Sequence, residues 1–500
     1  MIAADPLRPA LEHQLTLVAL LARRQGWVAD EEVMHAVSAV EQRTGEVGHP
    51  RRETADERIA VRSLESDEHD MEHERDNDTL MNPLQLIREQ PGAVRAMLEL
   101  RHFDAPLGRI VELDTRSRAL RSEVEQLRAE RNKGSKGGPP SDAVKTRMRE
   151  VGERIKAIEA ELGPLESERD ELVLHIPNLV DPGAPVGAVY EDNKVVREDK
   201  PRELPFPAKP HWEIGEKLGI LDIPRGAKVS GSRFYLLRGA GAALQRALIQ
   251  WMLDLKIDAG FTEIYPPFLT KRQTLVASSH LPHFAENQYH DEQDDLWLIP
   301  TAEPQLVGIH GDEILDGQKF PLQYVAYTAC FRREHMSAGR DVRGIKRGHQ
   351  FDKVEMVVYC HPEESPKELE GLVDRAVEVL ERLEIPVRVI ELCTGELAFQ
   401  ATRGFDVEAW APGVGEWVEV SSCSNCGSFQ AERASIRYRR EPGGKIEHPH
   451  LLNGSGLALP RLMISIIENY QQQDGSVVIP KAVRPYMRGR ERIAPGEFAL

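Results

Sequence analysis

Between about Pro106 and His175 the sequence permits little besides two long helices. In the second stretch, from about Asp142, apolar residues stand at Met148, Val151, Ile155, Ile158, Leu162, Leu165, Leu172 and Ile176. The spacings alternate three and four, with only Arg169 interrupting, which is the seam of a coiled coil. The first stretch, ending near Asn132, carries Leu113, Leu120, Val124 and Leu127 on one stripe. Between them NKGSKGGPPSD is too rich in Gly and Pro to continue a helix. Two helices joined by one turn predict an antiparallel arm. Arg128, Arg131, Lys133, Lys136, Lys145, Arg147 and Arg149 gather around that turn. They are candidate contacts to a phosphate backbone. A spacer or dimerisation hairpin with solubilising charges fits the same residues.

A chain of 500 residues exceeds one ordinary core and predicts two to four domains. Its net charge of −17 argues against a protein that coats nucleic acid generally, and leaves room for a local basic patch. Five cysteines make no disulfide framework, which points to a reducing cytoplasm. No apolar run approaches the ~20 residues of a membrane span. Leu15 to Leu21 lacks the flanks of a signal peptide. Short helices are expected near Leu11–Arg24 and Glu31–Arg43, followed by the acidic run ESDEHDMEHERDND, read as a solvated linker. Residues 177 to 235, rich in Pro and Gly, read as a linker into a second, larger domain.

That domain reads as α+β, a mainly antiparallel sheet with helices packed on it. Regular βαβ alternation, GxGxxG and GKS/GKT are all missing, which disfavours a doubly wound nucleotide fold. Helix is expected from Gly239 to Ala259. In GFTEIYPPFLT, Gly260 to Thr270, the two prolines demand an edge or an interface. From Tyr324 to Cys360, two alternating runs flank a loop dense in Arg, Gly and Asp. Extended backbone would put Arg332 and Glu334 on one face of the first run, and Phe351, Lys353 and Glu355 on one face of the second. If the runs pair, cations, carboxylates and a ring share one surface, which suits a nucleotide with a small charged partner. A salt-bridged surface hairpin is the alternative. Thr301 and Glu303, two apart, would share a face and could hold an ammonium group. Glu419 and Ser422 offer hard oxygen ligands suited to Mg²⁺ on phosphates. Cys423 and Cys426 have no second pair, so packed thiols are expected and no structural zinc. A Gly-rich bend at Asn453 to Gly456 precedes a helix starting near Pro460, where Arg461 and free N–H groups favour an anion.

From about Met81 to Met487 these segments together resemble the bacterial-type seryl-tRNA synthetases, a family of class II aminoacyl-tRNA synthetases. FRREHMSAGRDVRGIKRGHQFDKVE looks like the second class motif, LNGSGLALPR the third, and GFTEIYPPFLT the first, which in this class lies at the dimer interface. The resemblance implies an N-terminal coiled-coil arm and a class II domain on an antiparallel sheet. It implies ATP-dependent formation of seryl-adenylate and transfer of serine to tRNA(Ser), and to tRNA(Sec) as well. Serine would be held by Thr301, Ala302, Glu303, Arg332, Glu355 and Ser455. ATP would be held by Arg332, Glu334, Arg347, Phe351, Glu419, Val420, Ser421, Ser422 and Arg461. Glu419 and Ser422 would carry Mg²⁺, and catalysis would rest on Arg332, Arg461 and Glu419. It also implies a cytoplasmic homodimer joined through residues 260–270, with no membrane partner.

The resulting division is 1–80, an extension outside the resemblance; 81–185, the tRNA-binding arm; and 186–500, the catalytic domain. Family members typically begin at a position equivalent to Met81, so the extension reads as an appended module or a misassigned start. His335 and Met336 stand where the family has two small residues, Gly348 replaces an apolar one, and Glu432 a basic one. Two alternatives share the same motifs. One is a paralogue that loads a carrier protein, a type that lacks the arm; the other is a catalytically inactive tRNA-binding homologue.

Overall fold

The computed structural model describes residues 83–134, 141–335 and 343–496. The expected helices and acidic linker before Met81, the tip residue Lys136, and Met336 lie outside these. The described residues fall into two compact bodies. The smaller takes residues up to Glu99 and Phe103–Pro177, the larger Leu100–His102 and the chain from Asn178 onward.

The smaller body contains α1 (Pro83–Glu89), all but the last residue of α2 (Pro91–Leu100), α3 (Leu107–Gly134) and α4 (Asp142–Val173). Ser141 caps α4, its hydroxyl accepting from Val144 N–H at 3.4 Å. Val124, Val151, Ile155 and Ile158 are buried between α3 and α4, flanked by Leu120, Leu127 and Met148. Ion pairs confirm the antiparallel register. Arg109 meets Glu168, Arg116 meets Glu161, Glu123 meets Arg154 and Glu130 meets Arg147. Each pair advances seven residues on α3 and retreats seven on α4, the heptad step of a coiled coil. Arg169, the interruption in the seam, is buried and meets Asp114 at 3.4 Å; Asp114 also accepts from Arg88 at 2.7 Å. Near the turn, Arg128, Lys145 and Arg147 each pair with a carboxylate.

The larger body introduces, in order, β1 (Lys194–Glu198), α5 (His211–Lys217), α6 (Ala240–Asp258), β2 (Thr262–Glu263), α7 (Glu303–Gly308), β3 (Leu322–Phe331) and β4 (Gln350–Cys360). There follow α8 (Ser365–Arg382), β5 (Val387–Glu391), β6 (Arg403–Ala411), β7 (Glu416–Asn425), α9 (Phe429–Arg433), β8 (His450–Ala458) and α10 (Leu459–Asn469). Eight strands form one sheet in the order β1-β5-β6-β7-β8-β4-β3-β2. Neighbours run antiparallel except β2, which lies parallel to β3 at the edge. β2 lies at the sheet edge and stops before Pro266 and Pro267, and Tyr265 just beyond it is 79% exposed. One core packs α6, α8 and α10 against the sheet through residues such as Leu248, Met252, Leu372, Leu380, Leu462 and Ile466.

Two expectations need correction. Residues 177–235 are no linker: β1 closes one edge of the sheet, and Ile214, Leu218, Ile220 and Leu221 are core residues. Short segments separated by prolines each bury a few side chains, a pattern too brief for periodicity to reveal. Asn453 to Gly456 is no bend but lies inside β8. Its glycines are there for close approach. A Cβ at Gly454 would stand 3.0 Å from Cys423 Sγ, and one at Gly456 would stand 2.9 Å from a Val354 methyl.

Candidate functional site

One cleft of about 420 Å³ opens on the middle of the sheet. Alternation along β4 delivers Phe351, Lys353 and Glu355 to it, as expected. Glu355 stands opposite Ser455 of β8, at a break in the register. On β7 the alternation is broken by a bulge. Ser421 pairs with Val407 and Glu419 with Glu408, so Val420 is an extra residue. Glu419 and Ser422, three apart, consequently both reach the cleft.

Arg332 and Glu334 also line the cleft, but not by sharing a strand face. β3 ends at Phe331, Arg332 N–H donates to His349 O at 3.0 Å, and Glu334 has φ +53°. The backbone turns here, so both residues arrive by loop geometry. Likewise Glu303 opens helix α7 while Thr301 precedes it, so the proposed extended pair is a helix start. Ala302 is buried and Ser421 donates to Ser455 O at 2.7 Å; neither is among the lining residues. Arg347, Val420, Ser455 and Arg461 are.

The charges are ordered. At the deep end, Glu355 is 1% exposed and accepts from Thr301 Oγ1 at 2.9 Å. Lys353 Nζ reaches both Glu355 and, at 3.1 Å, Thr301 Oγ1. Burial pushes the Glu355 carboxyl up and Lys353 pulls it back. Burial likewise raises Glu303, whose Oε1 accepts from Gln430 at 2.7 Å and Gln400 at 3.2 Å. Toward the mouth, Arg461 holds Glu419 at 3.0 Å and lowers its pKa. Asp406 stands opposite Ser422; burial, and then Glu419, raise it, and its Oδ1 is buried without a partner. The Arg332 guanidinium lies 5.1 Å from the Phe351 ring centroid. Across the cleft, five cations (Arg332, Lys346, Arg347, Lys353, Arg461) face four carboxylates. Burial and the nearby Arg332 and Lys353 push His280 down to about 3, so it adds no charge at neutral pH. Such a site suits an anion with a cationic companion.

A model of the seryl-tRNA synthetase N-terminal domain matches residues 81–180, and one of the tRNA synthetase class II core domain (G, H, P, S and T) matches residues 284–470. The chain is 53% identical over 421 residues to a serine–tRNA ligase of Thermomicrobium roseum, spanning 83% of this chain and 95% of that one. It belongs to the seryl-tRNA synthetase family. Within the family it is also 54% identical over 421 residues to a serine–tRNA ligase of Roseiflexus sp., spanning 83% of this chain and 99% of that one. The seryl-tRNA synthetase of Pyrococcus horikoshii, solved complexed with ATP, superposes with a TM-score of 0.77 at 38% identity, over 83% of this chain and 100% of that one. The antiparallel sheet with its flanking helices is the class II synthetase fold.

His335, Gly348 and Glu432, the described positions among the departures expected above, have specific surroundings. His335 N–H donates to Asn287 Oδ1 at 3.2 Å. Gly348 lines the cleft where a Cβ would stand 3.1 Å from Gln350 O. Glu432 is pushed up by burial to about 7 and accepts from Ser428 at 2.6 Å. Lys346, Gln400 and Asn453 also line the cleft, and Asp406 and Gln430 back it through Ser422 and Glu303; the sequence pattern singles out none of these five. Lys353 shares the cleft face of Phe351 and Glu355, as its spacing predicts, and its role there is to pair with Glu355. All five cysteines are buried free thiols, Cys423 and Cys426 included.

Proposed function

We propose that this chain activates L-serine with ATP to seryl-adenylate and transfers serine to the terminal ribose of tRNA(Ser), and of tRNA(Sec). The observation that carries this is the sorting of the cleft. Thr301, Glu303, Glu355 and Ser455 are buried lining residues, with Lys353 and Thr301 on Glu355 and Ser455 opposite it; elsewhere in the lining Arg332 lies over Phe351 and Arg461 pairs with Glu419. Serine fits the first group. Its ammonium faces Glu303 and Thr301, and its hydroxyl faces Glu355 and Ser455. Adenine stacks on Phe351, and the phosphates face Arg332, Arg461 and Arg347, with Glu334 alongside.

The serine carboxylate is ionised at neutral pH and needs no general base. Two anions must approach in line, so the reaction requires charge neutralisation and alignment, which Arg332 and Arg461 supply. A carboxylate oxygen attacks the α-phosphorus and pyrophosphate departs with the broken P–O bond. The tRNA ribose hydroxyl then attacks the carbonyl and AMP leaves. Glu419 and Ser422, which both line the cleft, are the hard oxygen ligands that would hold Mg²⁺. Mg²⁺ bound with ATP would supply further phosphate neutralisation. Among the described residues no cluster of three or more His, Cys, Asp or Glu suits a metal. The exposed edge around Tyr265 is read as the homodimer contact. No described helix is long and apolar enough to cross a membrane.

The test is ATP–pyrophosphate exchange with each amino acid in turn, then charging of purified tRNA. Serine-dependent exchange and charging are expected. Absence of serine-dependent exchange would sink the reading, and exchange without charging would favour a carrier-protein substrate.

A further inference from the structure

We infer that His211 and Glu468 form a buried positioning pair that fixes the root of the loop carrying Lys346 and Arg347, and thereby sets the affinity for ATP. The affinity clause rests on the ATP reading above; the structural clause does not. Glu468 lies on α10 seven residues after Arg461, two turns further along the same face. It is fully buried, and its carboxylate takes four donors. Oε1 accepts from His211 N–H at 2.9 Å and ring Nδ1 at 2.8 Å. Oε2 accepts from Gly413 N–H at 2.8 Å and Val414 N–H at 3.1 Å. A buried carboxylate is tolerable only when so satisfied.

The other ring nitrogen faces the loop. Ile345 N–H donates to His211 Nε2 at 3.2 Å. Because Nε2 accepts, the ring proton sits on Nδ1 and points at Glu468. The carboxylate thus selects the tautomer that can hold the loop. Gly344, at φ +77°, runs flush on the ring: a Cβ there would stand 2.1 Å from Nε2 and 2.9 Å from Trp212. Ile345 is buried in the core, and the next two residues, Lys346 and Arg347, line the cleft. His211 and Glu468 do not. They act through the loop, so one helix places Arg461 directly and two loop cations at one remove.

His211→Asn and His211→Gln separate this role from mere packing. An asparagine amide reaches the place of Nδ1 and leaves Ile345 N–H unpaired; a glutamine oxygen reaches the place of Nε2. In the full chain, His211→Asn should raise KM for ATP about tenfold, the effect of roughly one hydrogen bond, with KM for serine within about twofold. His211→Gln should recover most of that. Amide exchange of the peptide holding Ile345, without substrate, should quicken in His211→Asn and not in His211→Gln. Unchanged exchange and unchanged KM in both variants would overturn the inference, as would equal losses for ATP and serine in both. If the wild type lacks serine-dependent exchange, the ATP reading fails, and the amide measurement still decides whether the pair holds the loop. Nitrogen NMR of the wild-type histidines gives a check that needs no variant: His211 protonated at Nε2 rather than Nδ1 would refute the arrangement.

Discussion

Glu355 has hydrogen bonds enough to stay buried, yet its partners Lys353 and Thr301 are themselves site residues. On the proposed reading it spends its remaining acceptor capacity on the serine hydroxyl. Glu355→Gln keeps the shape and removes the charge. It should raise KM for serine roughly 10–100-fold, the worth of a hydrogen bond to a charged group, and leave KM for ATP within about twofold. Exchange rates at varied serine and ATP check this; equal changes in both constants would refute the assignment. Arg461→Ala is the complementary case. Glu419 would lose the partner that lowers its pKa, and the phosphates a neutralising cation. Exchange should fall on the order of 10²–10³-fold in a protein whose circular dichroism is unchanged. Near-normal exchange would rule out the role. Arg332, Phe351, Glu355 and Arg461 were visible in the sequence because each sits in a distinctive local string. Asp406, Gln400 and Gln430 were not, because what matters is their register or reach across strands, as with Gln430 onto Glu303 at 2.7 Å.

Periodicity carries elements better than it carries single contacts. The seam of α4 was readable because three-four spacing persists over many turns, and the ends of α3 and α4 fell within two residues of expectation. Thr301–Glu303 and Asn453–Gly456 were misread because strings this short have no period: one opens a helix and the other crosses a sheet. The seam's polar break is answered by tertiary contacts. Asp114 on α3 accepts from Arg88 on α1 and meets Arg169 on α4. Asp114→Ala should cost about 2 kcal/mol, below the usual cost of breaking a buried pair because Arg88 is partly exposed. Folding lowers the Asp114 pKa, chiefly through the Arg88 hydrogen bond. Its contribution is therefore complete above the ordinary Asp value of about 4 and lost as pH falls through the folded value. Hydrogen exchange of α3 peptides should show wild type and variant separated at pH 7 and converging in acid. A gap that persists in acid would exclude the charge as its cause.

The division into two bodies implies that the two chemical tasks are separable. All the cleft residues belong to the larger body, which also includes Leu100–His102. Arg101 belongs to that body by its bonds: its guanidinium donates to Asn178 O at 3.2 Å, Ala401 O at 2.9 Å, Leu397 O at 3.0 Å and Ala398 O at 2.6 Å. A deletion that spares Arg101 and Asn178 leaves this anchorage intact. Removing residues 112–174 takes out most of α3 and α4 and none of the cleft. Serine-dependent ATP–pyrophosphate exchange should persist within a few-fold, since the adenylate forms without tRNA. Charging should be lost, because the arm's basic residues are the proposed phosphate-backbone contacts and a free acceptor end docks too weakly. Phosphate contacts release counterions, so residual binding of tRNA(Ser) should also lose much of its salt dependence. Filter binding across a salt series checks that second outcome independently of catalysis. Unaffected charging would remove tRNA binding from the arm, and loss of exchange would show that the larger body needs the arm to hold its active shape.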